Sequence, residues 1–152
     1  ARIQGVELSA TWAATDALTL KANYTFTDSE QKGGLYDGQP LGRTPEHMAN
    51  ARFDYAATDR LNLWSAVTYR GEEVNAGLRV GTNGQPVLDG PRQVGRLYPD
   101  YTLVDLGANW RVRDDVAIKF GVYNVTDKVL DVATYDQQGD GRRYWVGVNY
   151  EF

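Results

Sequence analysis

The sequence predicts an all-β chain, about seven long antiparallel strands forming part of a transmembrane β-barrel. Three observations carry this. Apolar residues recur at every second position over long stretches, the period of a strand with two unlike faces. Connections between these stretches alternate between tight and long, as in barrels with short turns on one side of a membrane and long loops on the other. Aromatic residues sort to both ends of the apolar face, where amphipathic rings meet lipid headgroups.

The elements follow in order. Val6, Leu8, Ala10 and Trp12 alternate with Glu7, Ser9 and Thr11. Leu18, Leu20, Ala22, Tyr24 and Phe26 repeat the pattern around Thr19, Lys21, Asn23 and Thr25. Ala49, Ala51, Phe53 and Tyr55 form a third strand, and Leu61, Leu63, Ser65, Val67 and Tyr69 a fourth whose Trp64 lies on the other face. Val104 to Val112, Val116 to Val122 and Tyr144 to Phe152 complete the set. Each stretch is about 9 to 13 residues long. Globular strands run to about 5 or 6 residues, whereas bilayer-crossing strands need about 9 to 11. The tight turns are Ala13 to Asp16, Ala56 to Asp59 and Arg113 to Asp115; the long, polar, Gly-rich connections are Asp28 to Thr44, Gly71 to Pro99 and Thr126 to Arg142. Within the second of these, Leu78 to Thr82 and Gln85 to Asp89 flank Asn83-Gly84, a hairpin signal. Trp12, Tyr55, Trp110, Tyr150 and Phe152 mark the short-turn end of the apolar face; Tyr24, Phe26, Tyr69 and Tyr144 mark the long-loop end.

Composition narrows the function. The chain has 152 residues, a net charge of -4, one His and no Cys. Bulk charge does not favour nucleic acid. There is no disulfide framework, thiolate nucleophile or Cys-ligated zinc, and His47 alone cannot build a multi-histidine metal site. The mean hydropathy of -0.50 and the lack of a long apolar run suggest solubility, but a β-barrel gives the same weak signal. No catalytic constellation emerges. His47 follows Glu46 at the foot of a strand and reads as a rim or lumen residue. The Asp136 to Gly141 stretch hints at a calcium loop, yet Gly147 stands where that template requires Glu. We expect no metal, no cofactor and no enzymatic activity.

The face opposite the apolar one carries Lys21, Asn50, Arg52, Asp54, Arg70, Asp105, Asn109, Arg111, Lys119 and Glu151. Such polarity suits a wide, wet or plugged lumen better than a packed interior. Parity adds a constraint. Bacterial single-chain barrels close with even strand counts, and open edges in lipid leave backbone groups unpaired. Residues 1–152 are therefore expected to be the C-terminal part of a larger barrel that folds poorly alone. The alternatives are a small closed barrel acting as anchor or enzyme, disfavoured by parity, and a soluble β-sandwich binding module, disfavoured by strand length and the two aromatic girdles.

Several segments carry a family resemblance: Gly42-Arg43-Thr44-Pro45-Glu46-His47-Met48-Ala49-Asn50, Tyr101-Thr102-Leu103-Val104-Asp105-Leu106-Gly107-Ala108, Tyr123-Asn124-Val125-Thr126-Asp127-Lys128, and the ending from Gly141 to Phe152. Together they resemble the C-terminal barrel strands of TonB-dependent outer-membrane receptors, particularly the catecholate-siderophore and colicin I receptor-like group. The resemblance implies a 22-stranded barrel enclosing a plug domain, placed in the bacterial outer membrane and importing ferric siderophores. Neither a plug-like region nor a TonB-box segment occurs in these residues, so TonB would act through a plug lying outside them. The resemblance also implies contact with lipopolysaccharide and, as a further partner class, colicin or phage. Tyr144, Val146, Val148, Tyr150 and the terminal Phe152 are similar to the signal read by the barrel-assembly machinery.

An anionic ferric catecholate would be met by arginines, whose forked donors stay charged at any working pH. The ligand-contact candidates in or beside the long loops are Arg43, Arg70, Arg79, Arg92, Arg96 and Arg142, with Tyr98 and Tyr135 as aromatic contacts. Arg143, Tyr36 and Tyr101 lie in the same regions. Ordinary pairing with loop carboxylates or lipopolysaccharide phosphates is the competing account. Arg52, Asp54, Arg111 and Lys119, toward the short-turn end, read as lumen-solvating or plug-docking residues.

Overall fold

The computed structural model describes all residues except 35, 79–81, 84, 86, 90, 91 and 94, and except the side chains of 75–78, 89, 92 and 93. Seven strands form one antiparallel sheet: β1 (Arg2–Ala13), β2 (Leu18–Glu30), β3 (His47–Thr58), β4 (Leu61–Arg70), β9 (Tyr101–Arg113), β10 (Val116–Tyr123) and β11 (Arg143–Tyr150), in that spatial order. Two small pairs lie within the β4–β9 connection. They are β5 (Glu73–Leu78) with β8 (Gly95–Tyr98), and β6 (Leu88–Asp89) with β7 (Arg92–Gln93).

The register joins the predicted apolar residues into continuous rows. Val6 lies opposite Phe26, Leu8 opposite Tyr24 and Ala10 opposite Ala22. Leu20 meets Phe53, Ala51 meets Val67, Leu63 meets Ala108, and Phe120 meets both Ala108 and Val146. A slip of one residue would turn a strand's apolar set onto the polar face, so this pattern holds every pairing in place. The polar rows are equally consistent: Lys21 opposes Arg52, Asn23 opposes Asn50, and Asn109 opposes Lys119. Trp64 faces this side, opposite Asp54 and Gly107.

The rows are staggered. Followed through hydrogen-bonded partners, Trp12 leads to Leu20, Phe53, Ser65, Leu106, Val122 and Tyr144. The row begins beside the first short turn and ends at the second residue of β11, beside the last long loop. Such a climb is the shear of a sheet whose strands tilt against a barrel axis.

The short turns have a local cause. Thr15 Oγ1 accepts from the amides of Ala17 and Leu18, and Thr58 Oγ1 accepts from those of Arg60 and Leu61. A hydroxyl that occupies two turn amides closes the chain in few residues.

Burial is inverted relative to a water-soluble domain. Leu8, Trp12, Val146 and Val148 are exposed on the sheet, whereas the buried large side chains, Tyr98, Leu130 and Tyr135, belong to the long connections. Glu73 and Asn124 are buried with them. Polar-face glycines are covered instead by rings. A Cβ on Gly107 would lie 2.3 Å from the Trp64 indole, and one on Gly147 would lie 2.7 Å from the Trp145 indole.

Two details differ from the sequence expectation. β10 and β11 have 8 residues each rather than 9 or more. β10 ends because Asn124 turns to a φ of 52°, leaving the extended ladder. The hairpin expected around Asn83-Gly84 lies largely on residues 79–81, 84 and 86, outside the described residues. Beside it Leu78 opposes Gly95 and Leu88 opposes Gln93, and the Gln85 amide donates to Asn83 Oδ1 in a local turn. Finally, one helical turn, α1 (Val132–Tyr135), interrupts the all-β chain, capped by Asp131, whose carboxylate accepts from the Thr134 amide.

Candidate functional site: an arginine clasp at the long-loop end

Arg43 sits in the β2–β3 connection at a φ of 61°, a left-handed conformation that aims its side chain across the neighbouring loops. Its amide donates to Val74 O at 2.8 Å, fastening this residue to β5. Glu73 and Tyr98 lie directly opposite each other on β5 and β8, so their side chains share a face. Arg43 engages both. Nη1 donates to Glu73 Oε1 at 3.3 Å, and the guanidinium lies 4.7 Å from the centre of the Tyr98 ring. Its far edge reaches the β10–β11 connection. Nη1 donates to Tyr135 O at 3.2 Å, and Nη2 donates to Asp136 Oδ2 at 2.6 Å and to Asp136 O at 3.3 Å.

Glu73 holds a second cation. Arg70 donates through Nε and Nη2 to Glu73 Oε2, at 3.1 and 2.6 Å, and through Nη2 to Arg43 O at 3.3 Å. A carboxylate only 7% exposed needs such partners, because an unpaired buried charge costs several kcal/mol, of order 3–5. Burial disfavours charge on Arg43, but the hydrogen bond and charge of Glu73, with Tyr98 and Asp136, outweigh it and raise the Arg43 pKa.

The remaining contacts complete the clasp. Arg96 stacks over the same Tyr98 ring, 5.3 Å from its centre, and donates to Ala133 O. Tyr135 meets Tyr101 edge-on at 5.6 Å, with Lys128 over its ring at 5.6 Å. Arg43, Arg70, Arg96, Tyr98 and Tyr135 are thus gathered into one cluster. Arg142 stands apart, its amide donating to Asp127 Oδ1 and its Nε to Val125 O. Arg79 and the side chain of Arg92 lie outside the described residues.

Sequence reasoning missed Glu73, and named Asp136, Asn124 and Asp127 only within motifs, without these contacts. Asn124 clamps the backbone of Lys128, donating to its carbonyl and accepting from its amide, both at 2.9 Å. Asp127 then guides Arg142 back toward β11. The Tyr123 to Lys128 motif was a visible signal for this turn; nothing marked Glu73. His47 lies at the loop-end rim on the apolar face, its Nδ1 2.7 Å from the Tyr24 hydroxyl and its ring against Tyr24 and Phe26. Among the described residues, no three His, Asp or Glu side chains gather as a metal site.

This architecture recurs in known proteins. Across all 152 residues the chain is 36% identical to the iron-regulated outer membrane virulence protein of Vibrio cholerae, covering 22% of that protein. It is 28% identical over 128 residues to the ferric enterobactin receptor of Pseudomonas aeruginosa, which spans 84% of this chain and 16% of the relative. The chain thus spans about a fifth of the length of these relatives. Among solved structures, a mutant of the P. aeruginosa ferric enterobactin receptor superposes with a TM-score of 0.75 at 21% identity. A siderophore receptor of Acinetobacter baumannii superposes at 0.76 and 22% identity. Each match covers 99% of this chain and 22% of the other, and shows the shared fold. Residues 1–125 match the TonB dependent receptor-like β-barrel family, and with the seven-stranded two-faced sheet they show that the chain belongs to this family of outer-membrane barrels.

Proposed function

We propose that the chain is the C-terminal part of a receptor that takes up ferric siderophores across the outer membrane by a TonB-dependent route. Its role is transport and not catalysis. In this reading the apolar face meets lipid, the polar face lines the lumen, and the long connections lie outside the cell. The short turns then face the periplasm. The seven strands supply barrel wall, and β11 with Phe152 supplies the segment recognised during assembly.

The observation that carries the reading is the convergence of three long connections at one end of a two-faced sheet, with arginines and tyrosines at their junction. The names of the V. cholerae and P. aeruginosa relatives supply the link to iron and to ferric enterobactin. An anionic, aromatic ligand fits a funnel that presents guanidinium groups and rings. Among the described candidates Arg96 and Arg142 lie outside the Glu73 pairings, each donating to a backbone carbonyl, and in this reading they reach it.

The test is uptake of radiolabelled ferric enterobactin by cells whose own receptor is deleted and replaced by the full-length receptor containing this chain. Uptake that requires TonB supports the proposal; a receptor that reaches the outer membrane yet neither binds nor imports the complex refutes this ligand assignment. Replacing Arg96 and Arg142 together with Ala should weaken binding. Unchanged affinity at low and moderate salt would remove both from the site.

A further inference from the structure

We infer that Arg43 is a ligand-responsive latch, with the Asp136 carboxylate occupying the guanidinium edge that an anionic ligand group takes when it binds. The inference rests on the siderophore reading above and adds a regulatory role to that site.

The two edges of Arg43 are unequal. On the inner side Nη1 is committed to Glu73, a buried carboxylate that also holds Arg70, and the guanidinium is seated on the buried Tyr98 ring. Losing these contacts would leave the buried Glu73 carboxylate with Arg70 alone and uncover the Tyr98 ring, so this half stays in place. On the outer side Nη2 pairs with Asp136 at 2.6 Å, where the two side chains are 36% and 44% exposed. Such an exposed pair is held weakly and can be exchanged for another anion. Asp136 is the C-cap of α1, a single helical turn, and has a φ of 53°. Releasing its carboxylate loosens the C-terminal end of α1, while Arg43 to Tyr135 O, Arg96 to Ala133 O and the Tyr101–Tyr135 contact keep the rest of the β10–β11 connection in place. The carboxylate is therefore an internal competitor for the ligand, and binding loosens the cap of α1.

A merely structural ion pair and a latch predict opposite signs. In the full-length receptor, Asp136→Asn should tighten ferric enterobactin binding by about two- to fivefold, the factor corresponding to removal of an exposed pair. Arg43→Ala should weaken it, and Arg43→Lys should not restore it, because an ammonium lacks the fork that serves both sides. Unchanged or weaker binding by Asp136→Asn would overturn the inference. Should that variant fail to reach the membrane, hydrogen exchange of the wild-type receptor decides: ferric enterobactin must speed exchange of the Asp136 amide, and protection there would overturn it. Wild-type receptor that does not bind the complex at all would instead strike the siderophore reading itself.

Discussion

Gly107→Ala should destabilise the receptor by about 2–4 kcal/mol, although it adds one methyl group. The new Cβ would lie 2.3 Å from Cε2 and Cζ2 of Trp64 and 2.5 Å from the carbonyl oxygen of Phe120. Neither neighbour yields readily. The indole is held by the Arg52 guanidinium, 4.9 Å from its ring centre, and by Tyr123 at 6.3 Å. Arg52 is itself anchored on both oxygens of Asp54. Phe120 belongs to the β9–β10 ladder, so moving its carbonyl disturbs strand pairing. Overpacking of this kind costs about 1–3 kcal/mol, and a displaced cation–π contact adds about 0.5–1. The assay is urea unfolding of the full-length receptor in phospholipid vesicles. Trp64→Leu in the same background should recover only part of the loss, because the backbone clash with Phe120 remains. A Gly107→Ala receptor within about 0.5 kcal/mol of wild type, below that overpacking range, would refute the argument that the indole is clamped on the glycine.

Two further outcomes are expected. Leu20→Arg and Phe120→Arg place charge on the lipid-facing side and should each cost about 2–4 kcal/mol near mid-bilayer, measured by the same titration; toleration of both would contradict the face assignment. Asp131 is held below the usual carboxylate range by the hydrogen bonds it accepts at Thr134. Its cap on α1 is therefore complete above the unfolded carboxylate value of about 3.9 and is lost as pH falls through the lower folded value. Amide protection at Thr134 should fall in that acid window, and Asp131→Asn should abolish the dependence.

The sheet was legible because period-two alternation is local. Each of the seven strands announces its apolar face in its own residues, and the register follows from matching those faces. Trp64 could be assigned to the polar face for the same reason. The clasp was not legible. Arg43 lies 30 residues from Glu73 and 93 from Asp136, and no pattern near any of them encodes the others. Arg43, Arg70, Tyr98 and Tyr135 could be named as chemically suitable, but the pairing of both arginines with one buried carboxylate is a tertiary fact. The Asn83-Gly84 signal marks a local turn, in which the Gln85 amide donates to Asn83 Oδ1; the hairpin expected on it lies largely outside the described residues.

The staggered row from Trp12 to Tyr144 bears on how this wall fits membranes of different thickness. Its two ends, Trp12 and Tyr144, lie at the short-turn and long-loop ends of the apolar face, yet one run of paired strands connects them. Strands cannot slide to shorten the apolar span, because each step would turn polar side chains into lipid. What remains adjustable is the inclination of the strands to the bilayer normal and the thickness of the lipid itself. A thinner bilayer should therefore lean the wall or stretch the surrounding lipid. The same movement would shift the long loops relative to the short turns, so lipid thickness acts on the mouth of the receptor through its backbone.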